Sequence, residues 1–118
     1  MQIYVKQLKR KFNVPTSHKN MRRVLVMQKF FASMNNVKGK TAEQIFDLQI
    51  KAMDEADKFL KVVLNLKDKE INRLDSEVNE EGNDATVDVV NYVCQRLMGQ
   101  TDKQITKEKK QVRENPKK

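Results

Sequence analysis

The chain has 118 residues, of which 34% are charged and 38% hydrophobic, and it carries a net charge of +8; this length suits one small domain rather than two. No apolar run approaches the roughly 18 to 20 residues that span a bilayer, and the N-terminus lacks the apolar core and cleavage site of a secretory signal. The single cysteine cannot form an internal disulfide, so we expect a protein of the reducing cytoplasm with no membrane partner.

The first fourteen residues alternate between apolar and polar side chains. Ile3 and Val5 can share one face of a strand, and Phe12 and Val14 repeat the pattern after a polar stretch. This alternation predicts a β-hairpin over residues 2–14. Because an isolated hairpin is only marginally stable in water, it must pack on another part of a fold.

A helix is predicted over residues 17–35, after Pro15 ends the second strand. Thr16 or Ser17 can cap this helix by accepting a hydrogen bond from a backbone N–H of its first turn. The apolar residues of the segment have helical spacing and are predicted to share one face. They are Met21, Val24, Leu25, Met27, Phe31 and Met34.

The longest predicted helix spans residues 42–65. Thr41 and Gln44 match a capping box, in which each side chain accepts a hydrogen bond from the backbone N–H of the other residue. Two pairs, Asp54 with Lys58 and Asp57 with Lys61, are spaced to form ion pairs on the solvent side. The predicted buried face consists of Ile45, Leu48, Ala52, Ala56, Phe59 and Val63, flanked by Phe46, Met53 and Leu60.

Two shorter helices are predicted over residues 68–75 and 84–98, with a polar acidic loop between them. The second segment is rich in valine, which also suits a strand. Its apolar spacing, the Asp84 cap and the stop at Gly99 favour a helix. Its predicted buried face consists of Val87, Val90, Val93, Cys94 and Leu97.

A final helix is predicted over residues 101–110, and Thr101 and Gln104 give it a second capping box. Residues 107–118 form a basic tail with too little apolar surface to offset the entropy of ordering, so we expect this tail to be disordered. The expected fold is therefore mainly α: a single small helical domain over residues 1–106, with four to five helices and a short N-terminal β-hairpin.

No catalytic, metal or cofactor site is evident in the sequence. His18 is the only histidine and Cys94 the only cysteine, and neither has the partners that a general base or a zinc site requires. His18 is predicted to lie on the surface and Cys94 in the core. Glu80, Glu81 and Asp84 lack the spacing of a calcium-binding loop. We therefore expect a protein without enzymatic activity that binds another macromolecule.

Charge is unevenly distributed along the chain. Residues 1–42 contain ten basic and no acidic residues, residues 43–100 seven basic and thirteen acidic, and residues 101–118 seven basic and three acidic. The basic first segment suits a nucleic-acid surface, and it equally suits contact with the acidic middle of another copy. Because few aromatic residues are available for stacking on bases, direct nucleic-acid binding is not favoured.

A candidate surface for self-association or partner binding combines basic residues of the N-terminal third with two methionines. Methionine more often fills gaps in a core, but methionine-rich helix faces also suit adaptable partner grooves. The candidate residues are Lys9, Arg10, Lys11, Arg22, Arg23, Met27 and Met34.

The order of the elements, together with several short strings, resembles a known family. The strings are Val14-Pro15-Thr16-Ser17, Asn20-Met21-Arg22-Arg23 and Met27-Gln28 before the long amphipathic helix, and Arg96-Leu97-Met98-Gly99 and Thr101-Asp102-Lys103-Gln104 after it. Over roughly residues 1–106, this arrangement resembles the phage tail assembly chaperones of long-tailed phages and prophages of Gram-positive bacteria.

The resemblance implies a non-enzymatic chaperone without cofactors. Members of the family are thought to coat the tape measure protein, a very long helical protein that sets tail length, and to bring tail tube subunits to it. A longer form is often made by ribosomal frameshifting, some members assemble as a helical spiral, and the finished virion lacks the chaperone. For this chain, the resemblance implies a homo-oligomer in the host bacterial cytoplasm, with the tape measure and tail tube proteins as partners.

Two other functions stay open at the level of sequence. One is a small basic nucleic-acid-binding protein, and the other is a different phage helical adaptor protein.

A head-to-tail contact between the basic N-terminal third of one copy and the acidic middle of the next would build a helical array. Self-association of this kind is expected to weaken in high salt, because salt screens exposed charges.

Overall fold

The elements follow one another in the predicted order. The structure is a computed structural model, and it describes residues 1–78, 82 and 84–107. The strands and helices are β1 (Gln2–Val5), β2 (Arg10–Asn13), α1 (His18–Asn35), α2 (Ala42–Val63), α3 (Asp68–Asp75) and α4 (Ala85–Leu97). A further helix, α5, begins at Asp102 and continues to Lys107, the last described residue. The predicted mainly α fold with an N-terminal β-hairpin is confirmed.

Part of the C-terminal prediction cannot be compared with the structure. The end of the last helix at residue 110 and the predicted tail from residue 108 onward lie outside the described residues. Lys107, which the sequence assigns to the start of that tail, is helical.

The β-hairpin packs on the helices of the same chain. Its strands are antiparallel, with Ile3 opposite Phe12, and Ile3 and Val5 are 0% exposed. Near the end of α4, Arg96 donates a hydrogen bond from Nη2 to the carbonyl oxygen of Gln2 over 3.3 Å. The hairpin thus closes one side of the helical core and contacts α4.

Helix α1 begins after a side-chain cap and buries one narrow face. Ser17 Oγ accepts a hydrogen bond from the Asn20 backbone N–H over 3.2 Å, and the buried residues of the helix include Val24 and Met27. Leu25 is 61% exposed, so the prediction that it shares the buried face is wrong. One residue along a helix turns the side chain by about 100°, which carries Leu25 away from the side on which Val24 is buried.

Helix α2 begins with the predicted capping box. The Thr41 N–H donates to Gln44 Oε1 over 2.9 Å, and the Gln44 N–H donates to Thr41 Oγ1 over 3.1 Å. The helix ends at Val63, two residues earlier than predicted, because Asn65 adopts a left-handed φ of 57° that does not continue a helix. The buried residues are Ala52, Ala56, Phe59, Leu60 and Val63.

Helix α4 is a helix despite its valines. Asp84 Oδ1 accepts a hydrogen bond from the Thr86 N–H over 2.8 Å, and Gly99, with φ of 95°, ends the helix as predicted. Val89 is 0% exposed, whereas Val87 is only half-buried. The buried face is therefore rotated slightly from the predicted one, toward Ala85 and Val89.

Helix α5 anchors the end of the described chain. Thr101 and Gln104 form the second predicted capping box, with N–H to side-chain oxygen distances of 2.8 and 3.2 Å. Ile105 is 3% exposed and supplies the apolar anchor. Among the helices of the described residues, none is long and apolar enough to cross a membrane.

Candidate protein-binding surfaces

The first half of α2 exposes a row of large apolar side chains. Phe46, Ile50 and Met53 are 59%, 57% and 60% exposed. Their spacing of four and three residues places them on one face of the helix. Scattered exposed apolar residues are normal, but a contiguous exposed apolar face is typical of an interaction site. These three residues are called the α2 stripe below.

The α2 stripe corrects part of the predicted buried face. Phe46 and Met53 were expected to flank the core, and both are exposed, while Ile45 and Leu48 are half-buried. The first half of α2 therefore carries a second apolar row beside the one that faces the core. Ile50, which completes this row, was not singled out from the sequence; its spacing from Phe46 and Met53 was the available signal.

Carboxylates lie beside the α2 stripe along its length. Glu43, Asp47 and Asp54 are exposed, and their spacing places them on one row of α2 next to the stripe. None of the three forms an ion pair with another residue that the structure describes, so the predicted pair between Asp54 and Lys58 is not formed. They are called the acidic border below. The stripe and its border together suit a partner that is apolar in the middle and basic along one side.

Asp57 continues the row of the α2 stripe by one further turn, and the pKa of its carboxyl group is raised. Burial is the largest cause that raises its pKa to about 7, followed by a hydrogen bond to Asp75 and by the charges of Asp75, Asp54 and Asp84. Asp75 also accepts a hydrogen bond from Thr86 Oγ1 over 2.7 Å. The carboxyl groups of α2, α3 and the start of α4 therefore meet at this end of the stripe.

The predicted ion pair between Asp57 and Lys61 is not formed. Lys61 Nζ instead contacts Asp68 Oδ1 at 2.8 Å, and Asp57 forms its hydrogen bond with Asp75. Helix spacing alone placed Asp57 next to Lys61 on the surface of α2. The contact with α3, which the sequence did not reveal, determines the partner of Asp57.

Asp57→Asn is expected to stabilise the fold above pH 7 and to reduce the pH dependence of its stability. The folded-state pKa of Asp57, about 7, lies above the ordinary value of 3.8, so the folded chain binds more protons than the unfolded chain between these pH values. Stability from this group is therefore full below pH 4 and is lost as the pH rises through 7. Thermal unfolding at pH 5 and pH 8 measures the effect.

Asp47→Asn is the matched control, because Asp47 lies on the same helix and is exposed. This variant should show the same difference in stability between pH 5 and pH 8 as the natural chain. An Asp57→Asn chain that loses as much stability as the natural chain between pH 5 and pH 8 would show that Asp57 is ionised throughout this range.

The candidate basic residues of the β-hairpin differ in their surroundings. Lys9 and Lys11 are exposed. Arg10 pairs with Glu70 over 3.0 Å and lies 4.5 Å from the ring centroid of Phe12. Arg10 therefore links the hairpin to α3 within the chain, which leaves fewer free cations for a nucleic-acid backbone than the sequence indicated.

The candidate residues of α1 do not form one surface. Arg22 is exposed, but Arg23 is half-buried and donates from Nη1 to Asn20 Oδ1 over 2.8 Å. Met27 is 1% exposed, so it belongs to the core and not to a surface of the isolated chain. Met34 is half-buried. Met53 of the α2 stripe, by contrast, lies on an exposed helix face.

Arg22 has other neighbours on the solvent side of α1. Leu25 and Val26 are 61% and 41% exposed, and Lys29 is exposed. Helical spacing places these residues on one side of α1, opposite the buried Val24. Arg22, Leu25, Val26 and Lys29 are called the basic α1 face below.

Neither the cysteine nor the histidine lies in a catalytic arrangement with other residues that the structure describes. Cys94 is 0% exposed, and burial raises the pKa of its thiol to about 11, which keeps the thiol protonated and unreactive. His18 is exposed at the start of α1. Among the described residues, no group of three or more histidine, cysteine, aspartate or glutamate side chains could hold a metal ion.

Comparison with known protein families gives a match. The sequence profile of a family described as phage tail assembly chaperone proteins, TAC, matches residues 1–112. No curated protein and no solved structure matches the chain. The family match covers the hairpin and every helix described above.

Proposed function

This chain belongs to the phage tail assembly chaperone family, and from that membership we propose that it binds the tape measure protein and helps to recruit tail tube subunits during tail assembly. The observation that carries the proposal is the α2 stripe, three large apolar side chains that are each more than half exposed on one helix face. An amphipathic helix binds by laying its apolar face on such a surface. The tape measure protein is the long helical client that the family implies.

The proposal has three further parts. A longer form of the chain, made by ribosomal frameshifting, carries the contact with the tail tube protein. Copies of the chaperone associate with one another, and a helical spiral is one form of that assembly. The protein acts in the host bacterial cytoplasm, has no catalytic role, and leaves before the virion is complete.

Co-expression with segments of the tape measure protein from the same phage tests the proposal. Amphipathic helical segments that are insoluble alone are expected to become soluble with the chaperone and to elute with it in size-exclusion chromatography. The reason is that the α2 stripe covers apolar surface that the segments otherwise use to aggregate.

The control is a soluble segment of the tape measure protein without an amphipathic pattern, which should elute separately. The proposal fails if a set of segments that tiles the whole tape measure protein gives neither added solubility nor co-elution.

A further inference from the structure

The α2 stripe creates a difficulty for the free protein. Phe46, Ile50 and Met53 are exposed together, and an exposed apolar face promotes association in water. A chaperone that waits for its client must keep such a face covered without blocking it permanently. A weak, reversible cover with charges along its edge satisfies both requirements, because charged edges fix the pairing without adding much affinity.

The basic α1 face has the chemistry of such a cover. Leu25 and Val26 supply exposed apolar surface, and Arg22 and Lys29 supply positive charge beside it. This combination is opposite in sign to the α2 stripe with its acidic border. The two surfaces also lie in the two segments that differ most in charge, the purely basic residues 1–42 and the acidic middle of the chain.

The charges on the two surfaces have the same spacing. Arg22 and Lys29 are seven residues apart on α1, and Asp47 and Asp54 are seven residues apart on α2. Seven residues are about two helical turns, or about 10 Å along a helix axis. Two helices lying side by side can therefore bring both basic residues against both acidic residues while the apolar side chains meet between them.

One copy cannot cover its own stripe in this way. Val24 and Met27 of α1 are buried on the side of the helix opposite the basic α1 face. The basic α1 face therefore points away from the core and from α2, which packs against α1. A cover made by the basic α1 face therefore has to come from a second copy.

We propose that, in the absence of client, the basic α1 face of one copy docks on the α2 stripe of another, and that a client helix displaces it. Arg22 and Lys29 then contact Asp47 and Asp54 of the neighbouring copy. The contact joins different surfaces of the two copies, so each copy keeps one free face and the association extends as a chain of copies. The displacement by client rests on the proposed binding of the tape measure protein, and the docking of a second copy does not.

Two charge-reversal variants test the docking by analytical ultracentrifugation. The natural chain is expected to associate as its concentration rises and to dissociate in high salt. Arg22→Glu with Lys29→Glu, and separately Asp47→Lys with Asp54→Lys, should each weaken association at least tenfold, because like charges then face each other. An equal mixture of the two variants should associate again, because each acidic face then meets a basic one.

The matched control is Lys9→Glu with Lys11→Glu, which changes the net charge of the exposed hairpin by the same amount as the α1 variant. It should leave association unchanged, and circular dichroism should show that every variant is folded. The docking is overturned if the natural chain stays monomeric, if the mixture fails to associate, or if the hairpin variant weakens association as strongly as the α1 variant.

A soluble complex with a tape measure segment tests the displacement. The segment is expected to replace the contacts between copies that Arg22 and Lys29 make. Because the Arg22→Glu, Lys29→Glu variant lacks these contacts, it should bind the segment more tightly than the natural chain does. Equal binding to the natural chain and to this variant overturns the displacement. A segment that binds neither chain contradicts the proposed function, while the mixture of variants still decides the docking.

Discussion

Replacing Phe46, Ile50 and Met53 together with serine is expected to weaken the binding of a tape measure segment by about 100-fold. Burying a large apolar side chain completely contributes about 1.5–3 kcal/mol, and these three side chains are each a little more than half exposed before binding. A contribution of about 1 kcal/mol from each gives about 3 kcal/mol in total, and each 1.4 kcal/mol is a tenfold change in affinity.

Isothermal titration calorimetry with a soluble helical segment measures the loss. Val62→Ser is the matched control, because Val62 lies on the same helix and is 45% exposed but is not part of the stripe. Neither change should alter the unfolding midpoint much, since exposed positions tolerate substitution. If the triple variant binds as tightly as the natural chain, the client contacts another surface.

Leu60→Ala is expected to destabilise the fold by about 2–5 kcal/mol, the range observed when a buried leucine is truncated. Leu60 is 0% exposed and belongs to the same core cluster as Val24, Leu74 and Val93. The loss is large for this chain, because small domains are stable by only about 5–15 kcal/mol in total. We expect a partly unfolded population near physiological temperature.

Urea unfolding followed by circular dichroism at 222 nm measures this effect. Ile50→Ala on the exposed side of the same helix serves as the control and should cost only a few tenths of a kcal/mol. A Leu60→Ala chain with an unchanged midpoint would mean that α2 does not pack into the core through this residue.

Local signals predicted the elements of this fold well. The capping box at Thr41 and Gln44 places the start of α2 at the observed residue, because it satisfies backbone donors within one turn and needs no distant contact. The same reasoning gives the start of α4 from Asp84 and its end from Gly99. Alternation at Ile3 and Val5 gives the hairpin, since both residues on the inner face are buried.

Features that depend on how elements pack were not predictable from local patterns. The sequence placed Leu25, Phe46 and Met53 in or beside the core, and all three are exposed, because the area that α1 and α2 bury is limited by the few elements available to cover them. Helical spacing identifies apolar residues on a face, but the size of the covering layer decides which of them are buried.

The candidate binding surface shows the same difference between local patterns, which the sequence reveals, and packing between elements, which it does not. The sequence assigned Arg10 and Met27 to it, and the structure places Arg10 in an ion pair with Glu70 and Met27 in the core. These contacts join residues far apart in the chain. Net charge along the sequence did indicate a basic and an acidic part, but only the structure separates Arg22, which is exposed, from Arg23, which is bonded to Asn20.

The hydrogen bond between Arg96 and Gln2 has a consequence for synthesis on the ribosome. It joins residues 94 positions apart, so the hairpin cannot complete its packing until α4 has emerged from the exit tunnel, and loop closure of this length favours late docking. Ile105, also buried, completes the core soon afterwards. The hairpin, although it is synthesised first, therefore reaches its final packing only after most of the chain has been translated.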